Sequence, residues 1–258
     1  MELCGRRVIV TGASSGIGAA CARAFAHERA LVALVARRKE RLESLARELE
    51  EMGSPEVRYD VLDVRDRAAV EAWAASLPEP WRAPDVLVNN AGLARGLAAV
   101  HDGDPDDWDT MIDTNVRGFL YVARAILPGM VARGSGHLIA IGSIAGHEVY
   151  PGGNVYCGTK HFVAALCRGM GIDLLGTGVR VSSVDPGMVE TEFSLVRFDG
   201  DAERARAVYE GFEPLHPEDV AEAVLFCATR PPHVNVRELI LMPSAQASAN
   251  HVHRADTE

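Results

Sequence analysis

Arg7-Val8-Ile9-Val10-Thr11-Gly12-Ala13-Ser14-Ser15-Gly16-Ile17-Gly18 is the stretch on which the fold of this chain turns. Arg7–Val10 reads as a strand, since β-branched apolar residues run together there. The glycines that follow are spaced Gly-x-x-x-Gly-x-Gly and let the backbone turn tightly and approach a ligand closely. A helical pattern then runs to about His27, so the loop feeds a helix N-terminus with unpaired N–H groups and a positive dipole end. Such a terminus suits a pyrophosphate. Gly12, Ser14, Ser15, Gly16, Ile17 and Gly18 are the candidate contacts, and the competing reading is a tight turn that binds nothing.

Outward from this loop, strand and helix patterns alternate. Leu31–Val35, Val57–Leu62, Val86–Val88, His137–Ile141, Val179–Val184 and Val236–Leu241 predict further strands. Arg38–Met52 is a charged amphipathic helix with Leu42, Leu45 and Leu49 on one stripe. Helices are also expected around Ala68–Ser76, as one long stretch over Trp108–Ala132, over Val155–Leu175 and from near Pro217. The region before Phe212 reads as less regular. Apolar strands separated by helices imply a parallel sheet covered on both faces. With no linker or repeat in view, the expectation is a single doubly wound Rossmann-type α/β domain over residues 1–258, built on a mainly parallel seven-stranded sheet. A substrate lid is expected near 188–213 and a polar tail from about 244. Ligands of such sheets bind beyond the carboxyl ends of the strands.

The second strand ends at Ala36-Arg37-Arg38. An acidic residue there accepts the ribose 2′-hydroxyl of NAD, whereas arginine suits the 2′-phosphate of NADP. NADP(H) is therefore the expected cofactor, with Arg37 preferred over Arg38. Asp63, with Val64 beside it, ends the third strand, where it can contact adenine or simply cap the next helix.

Tyr156 and Lys160 stand four residues apart, and Ser143 lies thirteen residues before the tyrosine. Residues i and i+4 share a helix face, so the ammonium can sit beside the phenol. A phenol with a pKa near ~10 is a poor base at neutral pH, and a neighbouring cation lowers that value. The bare Tyr-x-x-x-Lys spacing is common. Its meaning comes from the other motifs.

The chain has 258 residues, of which 48% are hydrophobic and 24% charged, enough for a substantial core. A net charge of −10 argues against nucleic-acid binding. Five cysteines without a C-x-x-C pair fit a reduced, cytoplasmic protein, and no signal peptide or membrane span is apparent. Cys157, next to Tyr156, reads as an inert small apolar residue, with oxidative damage as the sharper alternative. His251 and His253 in the tail lack the further ligands of a metal site, so no metal is expected and the tail reads as solvated or subunit-contacting.

Thr11–Gly18, Asn89-Asn90-Ala91-Gly92, Asn115, Ser143, Tyr156-x-x-x-Lys160 and Pro186-Gly187 follow one another in an order that resembles the short-chain dehydrogenase/reductase family across essentially the whole chain. The resemblance implies that Tyr156 exchanges a proton with the substrate oxygen, that Ser143 holds that oxygen, and that Lys160 lowers the tyrosine pKa and binds the nicotinamide ribose. It implies that Asn115 holds a water linking Lys160 to solvent. Asn89, Ala91 and Gly92 would line the adenine-ribose side, and Pro186, Gly187, Val189 and Thr191 the nicotinamide and its phosphates. Within the family, Gly152-Gly153-Asn154-Val155-Tyr156 and Thr191-Glu192-Phe193-Ser194 resemble the NADP-dependent 3-hydroxy acid dehydrogenases that act on serine or L-allo-threonine. Cys157, Gly146-His147-Glu148 and the spacing after Pro186 depart from that group.

The expected substrate is thus a small 3-hydroxy acid or ketone, its carboxylate held by Arg197 through a bidentate pair, with Arg95 as second candidate. The wide apolar surface of Trp108–Ala132 and the family resemblance imply a homotetramer. The alternatives are a 3-oxoacyl thioester reductase of the same family and a non-catalytic cofactor sensor. The intact Asn-Ser-Tyr-Lys set speaks against the sensor.

Overall fold

Alternation within the strands decides how the layers form. Val8 and Val10 of β1 (Arg7–Thr11) point to one face of the sheet, and Ile9 between them to the other. The computed structural model describes residues 2–255. β2 (Leu31–Ala36), β3 (Val57–Val61), β4 (Val86–Asn89), β5 (Gly136–Ile141), β6 (Val179–Pro186) and β7 (Glu238–Leu241) complete a seven-stranded sheet of order β3-β2-β1-β4-β5-β6-β7. Every pairing is parallel, so "mainly parallel" becomes wholly parallel.

Helices α1 (Gly16–His27), α2 (Lys39–Glu51) and α9 (Pro217–Thr229) cover the Val8/Val10 face. The α2 stripe of Leu42, Leu45 and Leu49 is buried there as its spacing predicts. Each such leucine contributes about 1.5–3 kcal/mol relative to exposure. The Ile9 face is covered by α3 (Arg67–Ser76), α5 (Phe119–Arg133) and α6 (Asn154–Asp173), through Trp73, Phe119, Ile126 and Val163.

The stretch expected as one long helix is divided. α4 (Pro105–Ile112) passes through a π-helical turn, Asp113–Gly118, before α5 begins. Gly118 crosses so close to Val64 that a Cβ there would lie 2.7 Å from its Cγ2. Single π turns of this kind often mark functional sites, and this one carries Asn115. The irregular region holds two short helices, α7 (Glu192–Arg197) and α8 (Ala202–Ala207).

The tail is not a free, solvated segment as far as residue 255. Gln246 is 4% exposed and accepts the Met188 N–H at 2.8 Å. Ala249 N donates to Glu148 Oε2 at 2.7 Å, and Ala255 N to the Gly211 carbonyl at 2.7 Å. Arg254 stacks 5.0 Å from the Phe212 ring and donates to the Val208 carbonyl. Backbone and side-chain bonds that composition cannot reveal tie the tail to Met188, Val208 and Gly211 and to the loop before Tyr156.

Candidate active site

The chain order reverses between β1 and β4, and the loops leaving their carboxyl ends part to form a crevice. Thr11 fastens the two loops by accepting the N–H groups of Asn90 at 2.9 Å and Ala91 at 3.0 Å. Asn90 Nδ2 in turn donates to the Thr11 carbonyl at 2.8 Å. Gly12 has φ +64°, and a Cβ on it would stand 2.7 Å from Asn90 Nδ2. At Gly18 a Cβ would stand 2.4 Å from the Gly12 carbonyl oxygen. The first turn of α1 has no capping side chain and no acidic residue, so its N–H groups face the crevice available to an anion. This cradle fits the pyrophosphate of a dinucleotide.

Arg37 and Arg38 both border the crevice. Arg38 is the one bound to the loop: Nε donates to Ser14 Oγ at 3.0 Å and Nη2 to Ser15 Oγ at 2.6 Å. Its Nη1 reaches Glu192 Oε2 on α7 at 2.9 Å, and Arg41 grips the other carboxylate oxygen at 2.6 Å. Arg41 escaped the sequence reading, which quoted Glu192 only inside the Thr191–Ser194 motif and gave it no contact. A positive stripe one helical turn past Arg37 was the available signal for Arg41. Asp63 and Val64 border the opposite end, where Arg65 beside Asp63 holds its carboxyl below the usual range.

Asn89 stands apart from the other expected contacts. It is 2% exposed and donates to the Phe119 carbonyl at 3.0 Å, beneath the crevice and outside its lining. Asn90 occupies the lining instead, together with Ala91 and Gly92. Gly18 likewise supports the loop from behind. Pro186, Gly187, Val189 and Thr191 border the far end.

Ser143 follows β5, Tyr156 and Lys160 sit in the first two turns of α6, and all three open on the crevice. Asn115 lies behind them. Its Oδ1 accepts Leu93 N–H at 2.9 Å, and its Nδ2 donates to the Leu93 carbonyl at 2.8 Å and to Thr159 Oγ1 at 3.0 Å. The side chain therefore clamps the loop after β4 to α6.

The electrostatics differ from the simple Tyr–Lys expectation. Burial pushes the Tyr156 phenol well above its ordinary pKa, while Arg197 and the Ser143 hydroxyl pull it down. The Lys160 ammonium donates to the Ile141 carbonyl at 2.9 Å and lies 6.0 Å from the phenol ring centre. Burial lowers Lys160 itself to about 8. The Cys157 thiol is raised by burial, as an unreactive packed thiol would be.

Arg197 reaches this centre from α7. Its guanidinium carbon lies 5.1 Å from the Tyr156 ring centre, 5.0 Å from Phe193 and 5.7 Å from Tyr150. Nη2 donates to the Tyr150 hydroxyl at 2.7 Å, whereas the buried Nε has no partner among the described residues. Arg95 is turned away and binds Asp199 at 2.8 Å, which leaves Arg197 as the arginine beside the phenol. Tyr150 was not singled out from sequence, and Phe193 only as part of the Thr191–Ser194 motif that carries the family resemblance. Tyr150 stands six residues before Tyr156, and no periodicity links the two.

A doubly wound sheet with a glycine cradle at its switch point and a Ser–Tyr–Lys set beside it defines a Rossmann-type oxidoreductase. The chain belongs to the short-chain dehydrogenase family, whose sequence model matches residues 6–200. It is 51% identical over 250 residues to an NADP-dependent 3-hydroxy acid dehydrogenase of Salmonella typhi, covering 96% of this chain and 99% of that protein. It is 47% identical to sulfoacetaldehyde reductase 2 of Chromohalobacter salexigens, covering 93% and 95% of the two chains. Among solved structures, the closed form of a serine dehydrogenase complexed with NADP+ superposes with a TM-score of 0.90 at 48% identity, covering 96% of this chain and 99% of that one.

Proposed function

We propose that this chain is an NADP-dependent oxidoreductase that interconverts a small 3-hydroxy acid, or 3-hydroxy amino acid, and its carbonyl form. The observation that carries this reading is the guanidinium of Arg197, held in an aromatic cage beside Tyr156 with its buried Nε–H unpaired. An unpaired buried donor is costly, and a substrate carboxylate would satisfy it. The relatives named above, two of them NADP-linked, support the cofactor and the substrate class.

The α1 cradle would hold the pyrophosphate, and Arg37 and Arg38 the 2′-phosphate. The bound nicotinamide would supply or accept the hydride. Ser143 donates a hydrogen bond to the substrate oxygen. Tyr156 gives that oxygen its proton during reduction and takes it during oxidation. Lys160 contributes positive charge below the phenol and a donor toward the crevice. The 188–213 region acts as the lid: Tyr209 fixes it by donating to the Val189 carbonyl at 2.9 Å, and Phe193 closes edge-on over Tyr156 with ring centres 5.5 Å apart. Exclusion of water there strengthens the Arg197–carboxylate pair. We further assign a homotetramer working in the cytoplasm. Exposed Ile172 in the last turn of α6, exposed Leu175 just beyond it and the four buried free thiols support these assignments.

The test is a substrate panel of 3-hydroxypropionate, L-serine, L-allo-threonine, 3-hydroxyisobutyrate, a sulfonate with its anion at the same distance, and a 3-oxoacyl thioester, each with both cofactors. Anionic substrates should be turned over with NADP(H). In Arg197→Ala the kcat/KM for them should fall about 10–100-fold, the loss of one charge-assisted contact. Turnover of the thioester alone would refute the substrate class, and an unchanged KM in Arg197→Ala would remove its role.

A further inference from the structure

Lys160 is 7% exposed, yet no carboxylate pairs with it within 4.0 Å among the described residues, and its one protein hydrogen bond is to the neutral Ile141 carbonyl. A buried ammonium in that state needs a counter-charge nearby to stay protonated. The structure holds one below the site. Asp185, near the end of β6, is 1% exposed. Its Oδ2 lies 2.7 Å from His147 Nε2, and its Oδ1 accepts the Ser183 hydroxyl. The carboxylate occupies space that exists because residue 142 has no side chain: a Cβ on Gly142 would stand 1.8 Å from Asp185 Oδ1. Gly142 links Ile141, which holds the lysine, to the catalytic Ser143, and its N–H donates to the Val184 carbonyl at 2.9 Å. His147 belongs to the turn after Ser143, and the Cα of Gly146 beside it packs on the Lys160 carbonyl. Three elements thus converge on one buried charge cluster: the end of β6, the turn after β5 and α6.

We infer that Asp185, held by His147 and Ser183 in the space left by Gly142, is the positioning residue that keeps Lys160 cationic while the enzyme works. This rests on the reading of Lys160 as part of the catalytic set. The direction of the electrostatics agrees: burial drives Lys160 down, and Asp185 opposes that fall. The other groups facing the cluster are Tyr156, Cys167 and Arg168 of α6, with Glu238 of β7 paired to Arg168 at 2.5 Å and lying near His147. None of them replaces Asp185: Tyr156 and Cys167 are held neutral by burial, and the Arg168 and Glu238 charges offset each other.

The chain has only two lysines, Lys39 and Lys160, which makes the experiment direct. In ligand-free enzyme labelled with 13C and 15N at lysine, the two signals are titrated by NMR, with Lys39→Arg assigning one of them. In Asp185→Asn the Lys160 midpoint should fall by at least about 1 pH unit, the usual effect of losing a close opposite charge, while Lys39 stays put. The alkaline limb of kcat/KM should move down with it, a loss of at least about 10-fold at high pH relative to pH 6.5. A merely structural role would lower activity at all pH values alike and leave the midpoint in place. Should Asp185→Asn not fold, Asp185→Asn with His147→Phe removes both partners, a change cores tolerate better than loss of one. The same fall is expected there. An unchanged Lys160 midpoint in whichever variant folds overturns the inference. Because the titration needs no substrate, it stands apart from the function proposed above, which fails separately if Tyr156→Phe keeps full activity.

Discussion

At the scale of single residues, the phenol of Tyr156 is held protonated by burial and made more acidic by Arg197 and Ser143. Replacing it with phenylalanine keeps the ring packed against Phe193 and removes only the proton carrier. In Tyr156→Phe, kcat should therefore fall at least about 100-fold, with KM within about threefold, in steady-state assays by cofactor absorbance. Retained kcat would exclude the tyrosine as the acid–base group. Tyr156, Lys160 and Ser143 were legible because side-chain chemistry and the i, i+4 spacing belong to the chain itself. Tyr150, Phe193 and the orientation of Arg95 were not, since each depends on where α7 lands. The partner of Lys160 was equally hidden: the spacing suggested the phenol, and the fold supplied a carbonyl and, beneath it, Asp185.

At the scale of elements, the α1 cradle and the start of α2 form one hydrogen-bonded unit along the crevice. Arg38 bridges Ser14 and Ser15 to Glu192 of α7, so a single side chain spans the glycine loop and α7. Arg38→Ala should raise the KM for NADPH by about 10–100-fold, the cost of a lost contact to a charged group, and leave the KM for NADH nearly unchanged. Equal losses with both cofactors would move the 2′-phosphate contact to Arg37 or Arg41. Most helices were readable to within a few residues, α2 most clearly because three leucines keep one period. The π turn between α4 and α5 was hidden, because its extra residue shifts the apolar stripe by about 100° and the wide apolar surface of this stretch masks that shift; Gly118 packs there on Val64. The short α7 and α8 were hidden for another reason. A helix of 6 residues is too brief to show a periodic face.

At the scale of the whole molecule, burial on both faces of the sheet has a consequence for stability. His137 on β5 is 1% exposed, bonds Ser182 Oγ at 2.8 Å through Nε2, and has no partner at Nδ1 among the described residues. Burial lowers its pKa to about 3. The unfolded chain takes up this proton near pH ~6.5 and the folded chain only near the lower value. The stability due to neutral His137 is thus fully present above that range and is lost as pH falls through it. Thermal melts should show Tm dropping from pH 7 to pH 4.5, with a shallower slope in His137→Gln. An identical slope in the two proteins would assign the acid lability to other groups.

By itself the sequence determined the parallel α/β layering, the glycine cradle, the Ser–Tyr–Lys set and the pair of arginines bordering the crevice, because periodicity, backbone freedom and functional groups are local properties. Only the tertiary structure decided which groups share an electric field. It brought Arg197 from α7 to the phenol, turned Lys160 onto a carbonyl, set Asp185 and His147 beneath it, and bound the tail to the segment that starts at Met188. Those contacts join residues far apart in the chain through buried space of low polarisability, where a charge acts strongly and where distance, not order in the sequence, sets its effect.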